Sequence, residues 1–525
     1  MNWNNFNEAA AFKKLSQCSE DYRSFDFKTK LDAQRVKKYS VGLAAGLTYN
    51  YAAKQVEDRV LSLLQELADE QELIAKYKAV LDGATINTGE NRKVLHHLLR
   101  GQLGSNVVFN GKNLGDFYKN ELERIDAFAK KVHSGEIKGA TGKKFTQAVQ
   151  IGIGGSDLGP RAMYLALENW AKKENKAKMQ AKFISNVDPD DAHAVLGSVN
   201  LEETIFVLVS KSGTTQETLS NELFVKTKLK EAGLDSSKHL VAVTSETSPL
   251  AHNKDYLDSF YMDDFIGGRY SSCSGVGGVI LSLAFGADVF KEFLNGAHEA
   301  DKAALEPSVT KNAALLDALI GVWERNFLGY PYTAVLPYSQ ALSRFPAHLQ
   351  QLDMESNGKS VNRDGKALSY VTGPVVFGEP GTNGQHSFYQ LLHQGTNIVP
   401  LQFVGFTESQ ACDDVIVDGS VSQKKLKANL SAQIVAFAKG QDDPNPNKFF
   451  SGGRPSSLIH GKRLTPAALG ALLAHFENKV MFQGFVWNIN SFDQEGVQLG
   501  KLLTKKVLSG ASGDSALDEY TKLLG

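Results

Sequence analysis

A run of hydroxyl side chains after a strongly apolar segment is the clearest sign of an anion-binding site in this chain. The segment SKSGTTQET (210–218) brings four hydroxyls, a lysine and a glycine together within six residues, just before a predicted helix. Small donors, free backbone N–H groups and the positive end of a helix can surround the three oxygens of a phosphate. An ordinary helix cap needs only one hydroxyl. The surplus favours a phosphate site, while a cap without a ligand stays open as the alternative.

A second turn of this kind lies at IGIGGSDLGP (151–160), which follows a predicted strand and opens a helix at Asp157. It is not the dinucleotide fingerprint, because that pattern would need a glycine at position 157. It is not a nucleophile elbow around Ser156 either, because Leu158 stands where the second glycine is required. An anion site and a tight turn with no ligand both remain open here.

Glu355 is a candidate for proton transfer. It lies in DMESNGKS (353–360), which imitates the second half of a nucleotide-binding P-loop. Asp353 occupies the place of that motif's first glycine, so we exclude nucleotide binding at this segment. What remains is a glutamate in a polar turn, for which a solvated surface carboxylate is the ordinary alternative.

Three more segments carry side chains able to hold charge or move protons. GQHSFYQLLHQG (384–395) contains His386, GGRYS (267–271) contains Arg269, and FDQEGVQLGK (492–501) ends in Lys501. A single histidine is more often structural than catalytic, and no spacing rule assigns the arginine or the lysine. The chain contains no Cys-x-x-Cys or His-Glu-x-x-His spacing, so we predict no protein metal site.

The composition excludes several classes of partner. The 525-residue chain has 57 Lys and Arg against 58 Asp and Glu, a net charge of −1. This balance gives no electrostatic reason to expect nucleic acid or an anionic membrane as the main partner. Cys18, Cys273 and Cys412 are too few and too scattered for a disulfide framework, which indicates a reducing compartment. With no secretory leader and no clean apolar span, we predict a cytoplasmic protein.

The elements that must position these residues follow from apolar spacing. Residues 1–115 are predicted to form a helical arm, with leucines and valines at helical spacing over 57–81. From about residue 145, β-rich runs alternate with amphipathic stretches, which is typical of parallel sheets covered by helices. The predicted strands are 148–155, 181–187, 204–210, 239–245, 332–339, 373–379 and 397–406. Later helices are predicted near 307–327, 423–440 and 466–487.

These elements predict an α/β protein with two tandem units. We place a helical N-terminal arm at 1–115, a first α/β domain with the phosphate loop at 116–290, and a second at 307–510. A C-terminal helical segment precedes a tail at 511–525.

In their order and intervals, seven segments resemble the phosphoglucose isomerase family: GIGGSDLGP, SKSGTTQET, GGRYS, QLDMESNGKS, GTNGQHSFYQLLHQGT, GRPSS and FDQEGVQLGK. The resemblance extends from about residue 86 to Lys501 and is most specific around Glu355, His386 and Lys501. It implies two flavodoxin-like sugar-isomerase domains, each a three-layer αβα sandwich with a parallel sheet. It also implies a homodimer with a site between the domains.

The resemblance further implies reversible isomerisation of glucose 6-phosphate to fructose 6-phosphate, in glycolysis and gluconeogenesis, without a cofactor or a metal. After ring opening, a proton moves between C2 and C1 through an enediolate, which requires a base and nearby positive charge. By resemblance Glu355 is the base, Arg269 the cation beside the enediolate, and His386 and Lys501 the groups for ring opening. His386 is implied to reach the site of the neighbouring subunit.

The other residues implied to line the site are the phosphate loop and its surroundings: Ser210, Lys211, Ser212, Thr215, Gly155, Ser156, Gln351 and Gln494. The chain departs from the usual family pattern at Gly89, Cys273, Gly453 and Gln498, and Gly89 stands where a threonine is usual. None of these four is expected to do chemistry, so they bear on substrate range and kinetics more than on reaction type.

Two other functions stay open at this point. A non-catalytic phosphosugar-binding regulator would keep the phosphate loop but has no need of Glu355, Arg269, His386 and Lys501 together. An amino-sugar phosphate isomerase could be built from similar tandem modules, but the segments around Glu355 and Lys501 speak against it.

Overall fold

Two β-sheets, each covered by helices on both faces, organise the chain. The computed structural model describes residues 1–510 and 512–525. The helices are α1 (Ala10–Arg23), α2 (Phe27–Lys30), α3 (Ala33–Lys38), α4 (Asp58–Glu70), α5 (Leu73–Leu81), α6 (Leu114–Ser134), α7 (Leu158–Lys173), α8 (Pro189–Leu196), α9 (Gln216–Glu231), α10 (Gly275–Phe285), α11 (Ala287–Ala303), α12 (Ala313–Val322), α13 (Phe345–Gln350), α14 (Tyr389–Gln394), α15 (Ser422–Lys439), α16 (Pro466–Val486), α17 (Gln498–Leu508) and α18 (Ser515–Leu523). The strands are β1 (Ser40–Gly42), β2 (Thr48–Asn50), β3 (Val108–Phe109), β4 (Lys112–Asn113), β5 (Gln147–Ile151), β6 (Gln180–Ile184), β7 (Thr204–Val209), β8 (Leu240–Ser245), β9 (Ser259–Met262), β10 (Tyr332–Tyr338), β11 (Val375–Phe377), β12 (Leu401–Phe406), β13 (Ile416–Val417), β14 (Ser420–Val421) and β15 (Ser456–Gly461).

The first sheet is entirely parallel, with the strand order β6-β5-β7-β8-β9. Its central strand β7 is buried at every position because helices cover both faces. Ile205 and Val207 pack into the core on one side, and Phe206 and Leu208 into a second cluster on the other. This alternation explains why the segment is a continuous apolar run rather than an alternating one.

The second sheet has the order β1-β2-β15-β12-β10-β11. Strands β10, β11 and β12, which were predicted, pair in parallel, and β15, which was not predicted, extends the parallel part of the sheet. The N-terminal arm adds β1 and β2 as an antiparallel edge beside β15. The predicted α/β fold class with two parallel-sheet units is confirmed, and the arm, although mainly helical, is also part of the second sheet.

Helix α16 lies at the centre of the molecule, and nearly all its residues are buried. Glycines allow it to cross α11 at very short distance. A Cβ at Gly470 would lie 1.9 Å from the carbonyl oxygen of Phe293, and one at Gly296 would lie 1.9 Å from that of Ala467. A side chain at either position would separate the two helices, and α16 would no longer fill the core between the two units.

A buried carboxylate joins four elements of the second unit. Asp317 on α12 accepts hydrogen bonds from Tyr49 of β2 and Gln402 of β12, and it pairs with Lys479 of α16 at 3.1 Å. Burial by itself raises the pKa of Asp317, but Lys479 and His475 outweigh burial and hold that pKa below its ordinary value. The arm is therefore tied to the core by a hydrogen bond to a buried carboxylate as well as by strand pairing.

The C-terminal segment has much less support. Helix α17 buries no residue and neither does α18. Leu499, Leu502 and Leu508 of α17 remain largely exposed. Among the helices in the described parts of the chain, none is both long and apolar enough to cross a membrane.

We predict that Asp317→Asn lowers the free energy of unfolding by about 3–5 kcal/mol, since it leaves the buried Lys479 ammonium without its counter-charge. Urea denaturation measures this change. Glu66→Gln is the control, because Glu66 pairs with Lys14 at the surface and such pairs contribute at most about 1 kcal/mol. Equal effects of the two substitutions would contradict the role assigned to Asp317.

Candidate active site

A cavity of about 1030 Å³ opens between the two α/β units. Leu158 at the start of α7 lines it from the first unit, and Gln351 and Glu355 line it from the second. The loop after α16 closes a further side with Asp493 and Gln494. The cavity therefore depends on the relative position of three segments that are far apart in sequence.

Glu355 lies at the end of a π-helical turn, Gln351–Glu355, that continues α13. Its side chain is 22% exposed, and its Oε2 lies 3.3 Å from Nη1 of Arg269, whose side chain is 1% exposed. Wider turns of this kind are frequent at functional sites. Here the turn carries a carboxylate that solvent can reach, beside a cation that solvent cannot.

Arg269 belongs to the short helical turn Gly268–Cys273, which follows β9. Its Nε donates to Oγ of Ser356 at 2.7 Å, and its Nη1 donates to Oε1 of Gln494 at 3.1 Å. Its Nη2 donates to the backbone carbonyls of Ser491 at 2.7 Å and Asp493 at 2.9 Å. Since guanidinium carries five N–H donors, the remaining one belongs to Nη1, beside Glu355.

This pair has the properties that proton abstraction from carbon requires. A carboxylate in a cavity can accept a proton from a substrate held within hydrogen-bond reach. A fixed guanidinium beside it can stabilise the oxyanion that develops, without reorganising during the reaction. The predicted partners Glu355 and Arg269 are thus brought together, as are Gln351 and Gln494.

The hydroxyl-rich segment forms a turn between β7 and α9. Ser210 Oγ donates to Thr215 Oγ1 at 3.2 Å and accepts from the N–H of Gly213 at 3.1 Å. Thr215 is the residue preceding α9, yet its side chain makes no capping hydrogen bond. The interpretation of this segment as a simple helix cap therefore loses its main support, whereas the helix N-terminus is still available to an anion.

Lys211 connects this turn with the Arg269 region. Its Nζ donates to the carbonyl of Ile266 at 3.4 Å and lies 3.7 Å from Asp264. Lys211 lines a small pocket of about 30 Å³ that it shares with Gln494, and Gln494 also lines the large cavity. Lys211 thus adjoins the large cavity through Gln494, whereas Ser210, Ser212 and Thr215 line neither the small pocket nor the large cavity.

The glycine-rich turn Gly154–Ser156 packs directly on the Arg269 turn. A Cβ at Gly155 would lie 2.2 Å from the carbonyl oxygen of Gly268, so only glycine permits this contact. Gly154 has a φ of +60° and lies next to the Gln351 side chain. Nε2 of Gln150, on strand β5, donates to the Ser156 carbonyl at 2.7 Å and so helps to fix this turn. Gly155 therefore lies against the turn that carries Arg269, and Ser156 is the next residue of the same turn, but neither is among the residues that line the large cavity.

His386 and Lys501 are not among the residues that line this cavity. His386 is an exposed residue of the turn Asn383–His386, and Lys501 is an exposed residue of helix α17. Among residues 1–510 and 512–525, no group of three or more His, Cys, Asp or Glu side chains is placed to hold a metal ion.

Sequence reasoning missed several residues that hold Arg269. Ser356 and Tyr270 share a hydrogen bond of 3.1 Å behind the guanidinium, and Lys359 pairs with Asp493 at 2.6 Å. Ser356 and Lys359 lie in the same segment as Glu355, and Asp493 precedes Gln494. Only the closeness of these residues in sequence to candidate residues could have indicated them. Three of the Arg269 partners are carbonyl or hydroxyl groups, which no sequence pattern marks.

The chain has two α/β units, each built on parallel strands, and a carboxylate–guanidinium pair lies in the cleft between them. This is the architecture of a two-domain α/β enzyme, a class that binds its ligands beyond the carboxyl ends of the strands. Comparison with known proteins gives the family. The family model described as Phosphoglucose isomerase matches residues 50–522, and the chain belongs to that family.

Similarity to individual relatives extends over nearly the whole chain. The chain is 63% identical over 514 residues to the glucose-6-phosphate isomerase of Treponema denticola, covering 97% of each. It is 51% identical over 527 residues to that of Borreliella burgdorferi strain ZS7, covering 99% of each. The crystal structure of a glucose-6-phosphate isomerase from Chlamydia trachomatis superposes with a TM-score of 0.92 at 42% identity, covering 99% of each chain.

We predict that the double variant Ser212→Ala, Thr215→Ala binds inorganic phosphate at least tenfold more weakly than the unmodified chain. Each hydrogen bond lost to a charged ligand is worth about 1.5–3 kcal/mol. Isothermal titration with phosphate measures the affinity. Thr227→Ala, farther along α9, where the hydroxyl bonds only to the Leu223 carbonyl, is the control. Unchanged affinity in the double variant would show that these hydroxyls do not bind phosphate.

Proposed function

We propose that this chain catalyses the reversible isomerisation of glucose 6-phosphate and fructose 6-phosphate, as an isomerase of central carbohydrate metabolism. Membership of the phosphoglucose isomerase family supports the reaction. The observation that carries the mechanism is the 3.3 Å approach of Glu355 to the buried Arg269 in the cavity between the two units. Both a base and a fixed positive charge are needed for proton transfer next to a carbonyl.

In the proposed mechanism Glu355 removes the proton from C2 of the open-chain aldose and returns it to C1. The electrons of the broken C2–H bond move onto the C1 carbonyl oxygen and form an enediolate, and the proton of the C2 hydroxyl passes to the C1 oxygen, so that protonation of C1 leaves the ketone at C2. The Nη1 of Arg269, already beside the Glu355 carboxylate, stabilises the negative charge on that oxygen. Because four other hydrogen bonds fix the guanidinium, it does not have to move as the charge develops.

The phosphate group is assigned to the turn that contains Ser210, Lys211, Ser212 and Thr215. Gly155, Ser156, Gln351 and Gln494 complete the substrate site between this turn and the catalytic pair. Binding energy from the phosphate, which does not react, then holds the small sugar in the orientation that the proton transfer needs. The substrate is accordingly a sugar phosphate rather than a free sugar.

His386 and Lys501 are assigned to ring opening and ring closure, with His386 supplied by the partner subunit of a homodimer. Exposure of His386 within one chain is consistent with such sharing. Leu499, Leu502, Leu523 and Leu524 give the C-terminal segment an uncovered apolar surface, which is typical of an interaction site. We also propose that the enzyme works in the cytoplasm, with domain limits at 116–290 and 307–510.

We predict that Glu355→Gln lowers kcat for fructose 6-phosphate by about two orders of magnitude or more, because general acid–base groups contribute on that scale. Coupling the product glucose 6-phosphate to its dehydrogenase measures the rate. The control is Glu495→Gln, a carboxylate that lines the same cavity but has no assigned role. Wild-type rates in Glu355→Gln would mean that another residue is the base.

The same assay separates the alternative functions. A phosphosugar-binding regulator would bind the sugar phosphate without turnover, and an amino-sugar phosphate isomerase would prefer glucosamine 6-phosphate. We expect turnover of fructose 6-phosphate at rates typical of enzymes and a preference for the hydroxy sugar over the amino sugar.

We predict that mixing Glu355→Gln and His386→Ala chains restores activity if the site is shared. After unfolding and refolding together, about half of the dimers are mixed by random pairing. Each mixed dimer has one site with both wild-type groups, so about a quarter of the wild-type activity should return. Each variant refolded alone is the control. Mixed dimers without activity would place His386 in the site of its own chain.

A further inference from the structure

Residues 490–494, here called the clamp loop, supply most of the groups that hold Arg269. The carbonyl oxygens of Ser491 and Asp493 and the side-chain oxygen of Gln494 accept three of its four hydrogen bonds. The loop follows the buried helix α16, and the exposed C-terminal segment begins directly after it. The position of the guanidinium is therefore only as well defined as the position of this loop.

An ion pair also fixes the clamp loop. Nζ of Lys359 donates to Oδ1 of Asp493 at 2.6 Å and to the backbone carbonyl of Asp493 at 2.9 Å. The other carboxylate oxygen of Asp493 accepts from Nδ2 of Asn490 at 2.6 Å, within the loop itself. The side chains of Lys359 and Asp493 are only 15% and 14% exposed, so water screens their attraction weakly.

Two cations thus meet at one backbone carbonyl. The Asp493 carbonyl oxygen accepts from Nη2 of Arg269 at 2.9 Å as well as from Nζ of Lys359. Each of the two positive charges has its own counter-charge, because the Asp493 carboxylate pairs with Lys359 and the Glu355 carboxylate lies beside Arg269. Lys359 is four residues after Glu355, so the ion pair links the segment that carries the base to the loop that holds the guanidinium.

Gly89 lies directly beside the Asp493 carboxylate. A Cβ at Gly89 would lie 2.6 Å from Oδ2 of Asp493 and 3.1 Å from Nδ2 of Asn490. Both atoms belong to short side chains already engaged in hydrogen bonds, so neither can move away without breaking one. Gly89 therefore leaves room for the Asp493 carboxylate in this chain.

We propose that Lys359 and Asp493 are positioning residues for the isomerisation, which act by holding the clamp loop so that Arg269 meets the developing oxyanion next to Glu355. The inference rests on the proposed function. Neither residue needs to touch the reacting atoms. A displacement of about 1 Å in such a group can cost about a hundredfold in rate.

Two competing explanations give different results. Lys359 lines the cavity. If it contacted the substrate, it would act independently of Asp493. The fold losses in kcat caused by removing each residue would then multiply in the double variant. If the ion pair served stability alone, its loss would lower the melting temperature without changing kcat.

The test compares Lys359→Met, Asp493→Asn and the double variant with the unmodified enzyme. We expect each single change to lower kcat by about 10- to 100-fold, with KM changed by less than about threefold, because ground-state phosphate binding is untouched. The double variant should be no slower than the slower single variant. Lys359→Arg, which keeps the charge and the donors, should recover much of the rate.

Lys226→Met is the matched control, because Lys226 pairs with Glu222 on α9 at similar burial, with side chains 24% and 9% exposed. It should leave kcat unchanged. Multiplying losses in the Lys359–Asp493 double variant, or single variants with wild-type kcat, would overturn the proposal. If Asp493→Asn does not fold, Gly89→Ala replaces it, and a loss of kcat of several-fold is expected from the added Cβ.

A second readout does not depend on isomerase activity. Phenylglyoxal modifies accessible arginines, and peptide mass spectrometry locates the product. Arg269 should be protected in the unmodified chain and in Lys226→Met but modified in Asp493→Asn. If Asp493→Asn makes Arg269 accessible to phenylglyoxal but the unmodified chain has no isomerase activity, the proposed function is refuted and the role of the clamp loop is retained. Normal turnover with Arg269 still protected in Asp493→Asn would refute the clamp alone.

Discussion

The structure of the cavity depends on the buried guanidinium of Arg269, which has almost no contact with water and needs partners for its charge and its N–H donors. Removing an ion from water costs several kcal/mol unless its charge and its donors find partners. Arg269 finds them in a hydroxyl, a side-chain amide, two backbone carbonyls and the Glu355 carboxylate. Those partners come from different parts of the chain, so satisfying one side chain requires the whole cleft to be assembled. These hydrogen bonds use four of the five N–H groups of Arg269, and the fifth, on Nη1, lies beside the base Glu355.

The two sheets bring these parts together by a simple geometric rule. In the first sheet the glycine-rich turn follows β5, the hydroxyl-rich turn follows β7 and the Arg269 turn comes soon after β9. Parallel strands end at the same edge, so the three turns meet there. The second sheet contributes Glu355 through α13, which comes soon after β10. Helix α16 then positions the clamp loop, and its tight crossing with α11 at Gly296 and Gly470 leaves little freedom in where that loop begins.

Apolar runs and the turns between them were enough to predict the fold class and the central strands β7, β8, β10 and β12. The meeting of Glu355 with Arg269 was implied only by the family resemblance. Strands β9 and β15 were missed, since β15 has few apolar residues and lies between two helices. The stretch 57–81, predicted to be helical from its leucine and valine spacing, forms two helices that divide at Glu72, which takes a φ of +50°. The clamp could not be predicted, because carbonyl oxygens carry no sequence signature and Gly89 gains meaning only from the distance to Asp493. Sharing of His386 between chains stays a prediction, as does the role of Lys501.

The central claim is that a base transfers a proton between C2 and C1. The most direct measurement is isotope incorporation during the conversion of fructose 6-phosphate to glucose 6-phosphate by the unmodified enzyme in ²H₂O. A base that exchanges with solvent during turnover should leave deuterium at C2 of the product, detectable by NMR or mass spectrometry. Turnover that continues to equilibrium without any deuterium at C2 would indicate direct hydride transfer between the two carbons, and would contradict the assignment of Glu355 as the base.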